Sequence, residues 1–262
     1  MSAIRNVVKE KLARDEVVAS MTVRLVRTVE IARIARAAGF DTLYVDMEHS
    51  PLSFDTTGQI CMAAQDCGVT PFVRVPSLRA DDVQRVLDGG ALGVIAPHVR
   101  SAEEAKALVE AARFPPRGTR SASGGLPQFD FRGVRAAEAN PLLDDATMVV
   151  PMIETLAALE NVEDIVAVDG VDMVLVGTND LTAEMGIAGQ YYHPRLRDAY
   201  TRIIMAARSE GKHVGVGGLS SRPDLAAEFV RMGARYISTG TDLAFLAGAA
   251  AARAKQVKDI VL

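Results

Sequence analysis

Short apolar runs rich in Val, Ile and Thr recur along the chain, and each is followed by a stretch where Ala, Leu and Ile return at helical spacing. That alternation is the pattern of parallel βα units. Eight strands are predicted: VVASMTVRLV at 17–26, TLYVDME at 42–48, PFVRVP at 71–76, GVIAPHV at 93–99, MVVPMIE at 148–154, VDMVLVG at 171–177, HVGVGG at 213–218 and RYISTG at 235–240. Their near-continuous hydrophobicity suits strands covered on both faces. Between them the helices carry punctuation. Thr28 is placed to cap EIARIARAAG, which Gly39 would stop, and Ser101 with Glu104 forms a capping box before AEEAKALVEAAR. Ser53, Ser77 and Ser221 are further helix starts of the same kind. Eight such pairs in roughly 250 residues predict an α/β protein with one closed TIM (β/α)8 barrel over residues 1–262, not an open doubly wound sheet.

Two stretches break the rhythm, and long connections in a compact domain are usually functional. One runs from Phe114 to Thr147 and contains PPRGTRSASGGLPQFDFRG; the other is LTAEMGIAGQYYHP, after the sixth strand. Both are expected near the C-terminal rim, where barrels keep their active sites. The Ala-rich DLAFLAGAAAARAKQV reads as a final helix.

Composition narrows the function. With 49% apolar and 24% charged residues the chain can bury a large core, which excludes disorder and fibres. The balance of 29 basic and 33 acidic residues, net −4, supplies no single-sign field for nucleic acid or an anionic membrane. Cys61 and Cys67 stand six apart in one predicted helix without a His or Cys cluster, so neither a disulfide framework nor a zinc site is indicated. The charged start MSAIRNVVKEKLARDE lacks the features of a signal or transit peptide, and no run approaches the roughly 20 apolar residues of a membrane span. A soluble protein of the reducing cytoplasm is expected.

In a barrel, a polar residue at a strand's C-terminal end is aimed at the mouth. The second strand ends in Asp46-Met47-Glu48-His49, the third carries Arg74, the fifth ends in Glu154, and the sixth runs into Gly177-Thr178-Asn179-Asp180. Glu154 and Asp180 would bring two anions together beside apolar walls, which is costly unless a cation joins them. Ligation by carboxylates alone suits Mg²⁺ or Mn²⁺ better than zinc, with Co²⁺ as a further option; the competing reading is that one of the pair caps the helix behind it. Arg74, alone in an apolar strand, needs an anion: a substrate carboxylate, or an Asp or Glu of a neighbouring strand. His49 is placed to be a general base if a carboxylate fixes its tautomer, with Asp46 in support; His98 is the weaker alternative, and His193 and His213 read as cap and fold residues. The lysines, at 9, 11, 106, 212, 255 and 258, all miss the strand C-terminal ends, so Schiff-base chemistry has no candidate and a metal must serve as electron sink. The glycines of GVGG and STGT could cradle phosphate or simply make tight turns.

Taken together, GFDTLYVDMEHSP, PFVRVP, LDGGALGVIAPHV, MIET, VDMVLVGTNDLTAEMG and HVGVGG resemble, in order and spacing, the HpcH/HpaI aldolase family over about residues 17–245. These are metal-dependent pyruvate aldolases related to 4-hydroxy-2-oxoheptanedioate and 2-keto-3-deoxy acid aldolases. The resemblance implies reversible cleavage of a 4-hydroxy-2-oxo acid to pyruvate, or a close 2-oxo acid such as hydroxypyruvate, plus an aldehyde. It implies His49 as general base, Asp88 as the carboxylate that raises its basicity, Arg74 steadying the enolate charge, and Glu154 and Asp180 as metal ligands. The backbone of Asn179 and Asp180 would meet the substrate carboxylate, and the assembly would be a homohexamer of dimers that exchange C-terminal helices. The chain departs from the family pattern at Met152, where some members have Gln, and in lacking a Trp in the first strand. Gly217 stands where a bulkier residue is usual, and Thr178-Asn179 replaces Pro-Ala, so the aldehyde pocket is expected to differ. The alternatives are a CoA-thioester lyase of the citrate lyase or malyl-CoA lyase type, for which the chain is short and lacks an evident nucleotide-diphosphate site, and a non-catalytic binding barrel.

Overall fold

All eight predicted strands form, and they close in chain order into a parallel barrel in which β8 returns to β1. The computed structural model describes residues 4–260. The strands are β1 Val18–Val23, β2 Thr42–Asp46, β3 Thr70–Arg74, β4 Gly93–Ala96, β5 Met148–Ile153, β6 Met173–Gly177, β7 His213–Gly217 and β8 Tyr236–Thr241. Around them lie α1 Val7–Ala13, α2 Glu30–Ala37, α3 Phe54–Asp66, α4 Ala80–Asp88, α5 Ala102–Ala112, α6 Ala136–Ala146, α7 Leu156–Glu160, α8 Val162–Ala167, α9 Thr178–Glu184, α10 Pro194–Ser209, α11 Pro223–Met232 and α12 Asp242–Lys258.

Side chains alternate across each strand, and this period of two builds both layers of the core. Tyr44, Phe72, Ile95, Val150, Leu175 and Tyr236 pack together inside the barrel, while Leu43, Val45, Val73, Val94, Val149 and Val174 join the cluster shared with the helices. Two residues on from the inward Tyr44, Phe72, Met152 and Leu175 come Asp46, Arg74, Glu154 and Gly177. The polar mouth is therefore the next inward layer above an apolar plug. The strands stop short of several predicted C-terminal ends, β1 at Val23 and β4 at Ala96, because the chain leaves the ladder to serve the mouth. His98 marks such a departure with a left-handed φ of 58°.

The opposite end is closed by α1, whose Val8 and Leu12 enter the interior cluster. Its cap, Asn6, accepts the Lys9 N–H at 3.0 Å and donates to the carbonyls of Leu92 and Ala146 at 3.1 and 2.7 Å. Ser53 and Ser101 cap α3 and α5 as expected, and Gly39 follows α2 with φ 86°. Thr28, Ser77 and Ser221 are not caps: α2, α4 and α11 begin behind Val29, Arg79 and Arg222 without a side-chain cap bond.

The stretch from Phe114 to Thr147 corrects the expectation of a place on the C-terminal rim. Arg120 pairs with Asp88 at 2.8 Å, Gln128 donates to the Leu87 carbonyl at 2.7 Å, and Arg113 pairs with Asp172 at 2.9 Å. Those partners precede β4 and β6, so the segment lies under the N-terminal end, where Phe114, Leu126, Phe129 and Leu143 form a core of their own. The stretch after β6 does lie at the mouth, its Tyr191 hydroxyl donating to Asn179 Oδ1 at 2.8 Å. Among the described residues no helix is long and apolar enough to cross a membrane, and Cys61 and Cys67 are both free thiols.

Candidate active site

Register brings Asp46 on β2 directly opposite Arg74 on β3. Arg74 Nε and Nη2 donate to the two oxygens of Asp46 at 2.9 and 2.6 Å, a bidentate pair. Asp46 also accepts the backbone N–H groups of Glu48 and His49 at 3.1 and 3.2 Å, and Arg24 Nε lies 3.2 Å from its Oδ2. Burial alone would raise the carboxyl's pKa, but Arg74, the His49 N–H and Arg24 together hold it below the usual carboxylate range. The remaining Arg74 nitrogen, Nη1, lies 2.8 Å from Glu48 Oε2 and 3.9 Å from Met152 Sδ. Of the two partners open to Arg74 on sequence, its fork has taken the neighbouring strand's carboxylate.

Glu48 and Glu154 are bridged by one imidazole. His98 Nε2 is 2.9 Å from Glu48 Oε1, and His98 Nδ1 is 3.2 Å from Glu154 Oε1. The same Glu154 oxygen accepts the His98 backbone N–H at 2.7 Å, an approach that the left-handed backbone at His98 permits. Glu154 Oε2, by contrast, is buried and has no hydrogen-bond partner. Burial pushes the Glu154 carboxyl up; His98 moderates the shift, and the charges of Glu48 and Asp180 add to it. Asp180 is exposed on the first turn of α9, whose cap position, Gly177, offers no side chain.

An orphaned carboxylate oxygen with a second carboxylate near enough to raise its pKa is the environment a divalent cation satisfies. Among the described residues no three or more His, Cys, Asp or Glu side chains are arranged to hold a metal ion by themselves. Glu154 and Asp180 would therefore hold a cation with other positions left open. A Cβ at Gly177 would fall 2.4 Å from Glu154 Oε2, so the glycine keeps the space beside that oxygen clear.

The other predicted residues divide. Met152, Gly177, Thr178, Asn179, Asp180 and Gly217 line a cavity of about 260 Å³ together with His49, Arg74, Asp46 and Arg24. Within that lining the Thr178 hydroxyl turns into the wall, 2.7 Å from the Tyr200 hydroxyl and 2.5 Å from the Gly217 carbonyl, so only its backbone faces a ligand. His49 is half exposed, with Nε2 3.7 Å from Glu48 Oε2. Asp88 does not join it. It ends α4, before β4 begins, and pairs with Arg120 at the far end of the barrel, so within one chain the carboxylate beside His49 is Glu48. Sequence reading missed Arg24 as a site residue and left the bridging roles of Glu48 and His98 unseen. The available signal was the period of two, which continues from Thr22 to Arg24.

The sequence profile of the HpcH/HpaI aldolase/citrate lyase family matches residues 25–249. The chain belongs to this family. It is 39% identical over 250 residues to the 4-hydroxy-4-methyl-2-oxoglutarate aldolase of Hapsidospora irregularis, covering 94% of this chain and 93% of that one. The 4-hydroxy-2-oxovalerate aldolase of Rhodococcus jostii is 37% identical over 232 residues, covering 86% and 87%. Among solved structures, an HpcH/HpaI aldolase from Desulfitobacterium hafniense superposes with a TM-score of 0.92 at 32% identity, covering 98% of each chain.

Proposed function

We propose that this aldolase cleaves a 4-hydroxy-2-oxo acid reversibly into pyruvate, or a close 2-oxo acid such as hydroxypyruvate, and a second carbonyl compound. The C3–C4 bond breaks, its electron pair enters an enolate over C3, C2 and the C2 oxygen, and the C4 hydroxyl loses its proton to become the new carbonyl. Protonation at C3 completes the 2-oxo acid, so no oxidant or further reactant is needed.

The observation that carries this reading is the buried, unpartnered Oε2 of Glu154 in reach of Asp180's charge. A Mg²⁺ or Mn²⁺ ion held by that pair, with Co²⁺ as a substitute, would supply Lewis-acid stabilisation of the enolate. The chain's own groups do the rest. His49 moves the proton between the C4 oxygen and solvent, with the Glu48 carboxylate 3.7 Å from its Nε2. Arg74, fixed by Asp46, holds a positive charge at the cavity where the enolate oxygen develops negative charge. The backbone N–H groups of Asn179 and Asp180, free in the first turn of α9, receive the substrate carboxylate, while Met152 and Gly217 shape the space around its carbon chain. A cytoplasmic homohexamer joined through α12 accompanies this reading.

Glu154→Gln tests it. The variant is expected to stay folded, to lose Mn²⁺ binding in calorimetry and to stop exchanging the methyl protons of pyruvate. Mn²⁺ affinity equal to that of the unaltered protein would remove the basis of the assignment.

A further inference from the structure

Two arginines reach the mouth, and they are not equivalent. Arg74 is committed, with its fork on Asp46, its last nitrogen against Glu48, and 9% of its side chain exposed. Arg24 leaves 35% of its side chain exposed, has Nε 3.2 Å from Asp46 Oδ2, and donates from Nη2 to the neutral carbonyl of His49 at 2.9 Å. Its Nη1 has no hydrogen-bond partner among the described residues. Asp46 is already matched by the bidentate Arg74, so Arg24 brings the cavity a cation with donors to spare.

Its place in the barrel says what those donors face. Arg24 follows β1, between β8 and β2, whereas Glu154 and Asp180 follow β5 and β6. In a closed barrel of eight strands β1 and β5 are diametrically opposed, so a 2-oxo acid seated at the two carboxylates extends its C4 end toward Arg24. Apart from Asp46, the wall beside Arg24 is polar and neutral: Thr22 and Ser238 share a hydrogen bond of 3.0 Å, and Thr241 lines the same space. The position is also built in advance. Asp242, buried at the start of α12, accepts the backbone N–H of Arg24 at 2.9 Å, of Leu25 at 3.0 Å and of Val26 at 2.7 Å. An arginine held from behind by its backbone and from the side by Asp46 has little freedom left to lose on binding. The cavity, about 260 Å³, suits a small acid; drug-sized ligands need about 300–1,000 Å³.

We propose that Arg24 is a specificity-determining residue that binds a second carboxylate on the C4 side of the substrate. The preferred substrate is then a 4-hydroxy-2-oxo diacid, cleaved into two carboxylated carbonyl compounds: the 2-oxo acid from C1 to C3, and an oxo acid from C4 onward. This rests on the aldolase reading and adds the substrate class to it.

The test runs the reaction in the synthetic direction with pyruvate as donor and compares anionic acceptors, glyoxylate and pyruvate itself, with neutral ones, acetaldehyde and glycolaldehyde. The unaltered protein is expected to favour the anionic acceptors in kcat/KM. Arg24→Gln, which keeps a polar stem and loses the charge, is expected to lower the anionic-to-neutral ratio at least thirtyfold, mainly through KM, and Arg24→Lys to recover part of it. An unaltered protein that uses neutral aldehydes as efficiently as anionic ones overturns the proposal, whatever the variants do. So does an Arg24→Gln protein that loses both classes in equal proportion. If the unaltered protein condenses pyruvate with no acceptor and exchanges none of its methyl protons, the aldolase reading fails and takes this proposal with it; exchange that persists separates the two failures.

Discussion

At Gly177 the absence of one carbon atom decides whether Glu154 can stand where it does. A Cβ there would lie 2.4 Å from Glu154 Oε2 and 2.7 Å from Glu154 Cβ, closer than real side chains approach. The backbone φ of −84° is ordinary, so the effect of alanine would come from contact alone, on the Oε2 and Cβ of Glu154 and on Met152 Cε at 3.2 Å. Gly177→Ala is therefore expected to melt below the unaltered protein, because Glu154 Cβ must shift, while remaining cooperatively folded. Mn²⁺ affinity measured by calorimetry should nevertheless fall about ten- to a hundredfold, the range seen when groups that position a metal ligand are changed. Undiminished affinity would mean that Glu154 is not a ligand. The same scale shows what a sequence can and cannot say about a site. An arginine in the apolar run FVRVP announces an anion, but whether substrate or protein supplies it depends on the register that sets Asp46 beside Arg74, a relation between residues 28 apart. Glu154 and Asp180 stand out in the sequence because each closely follows an apolar strand, Glu154 directly after β5 and Asp180 in the first turn of α9 behind β6. Asp88, assigned through the family resemblance, ends a helix instead, and helices of this fold run back to the far end of the barrel.

Between elements, the firmest tie at the mouth is Asp242, which joins the start of α12 to the turn after β1. One carboxylate there accepts four backbone N–H groups, those of Arg24, Leu25, Val26 and Leu243. Hydrogen bonds to a charged acceptor contribute about 1.5–3 kcal/mol each. An amide keeps one acceptor oxygen, so Asp242→Asn should lower the unfolding free energy by about 1–3 kcal/mol, read from the urea midpoint. Hydrogen exchange at residues 24–26 should quicken more than exchange in the strands; equal quickening everywhere would mean that the bond supports the whole barrel and not this turn. This tie was invisible in the sequence because its ends are more than 200 residues apart. The strands themselves were legible in number and order, though not at every end, since burial on both faces leaves an apolar run between turns. The long Phe114–Thr147 connection was read in the right place along the chain and on the wrong face. Its Gly, Ser and Pro residues suggest a loop, but only the pairing of Arg113 and Arg120 with acids beneath β4 and β6 reveals that it closes the N-terminal end.

The whole chain leaves one element unfinished. Helix α12 spans seventeen residues, yet only Asp242 in it is buried, and Leu243, Phe245, Leu246 and Val257 are 51, 41, 60 and 69% exposed. A barrel whose other helices bury an apolar stripe gains nothing by holding these side chains in water, and contiguous exposed apolar surface marks an interaction site. Exchange of C-terminal helices between copies, which the family resemblance implies, would cover them. Burying a Leu or Phe side chain contributes about 1.5–3 kcal/mol, and every α12 in a symmetric assembly would bury its own set. The expected outcome is a particle several times the mass of one chain in light scattering, and a smaller one for Leu243→Glu combined with Leu246→Glu. The barrel's far-ultraviolet dichroism should be unchanged, because neither side chain belongs to its core. The consequence reaches the mouth. Thr241 caps α12 and lines the cavity, and Asp242 holds Arg24, so a helix clamped by a second copy stiffens the wall opposite Glu154. The dissociated variant should therefore lose acceptor affinity while still exchanging the methyl protons of pyruvate, a division that unfolding of the barrel would not produce.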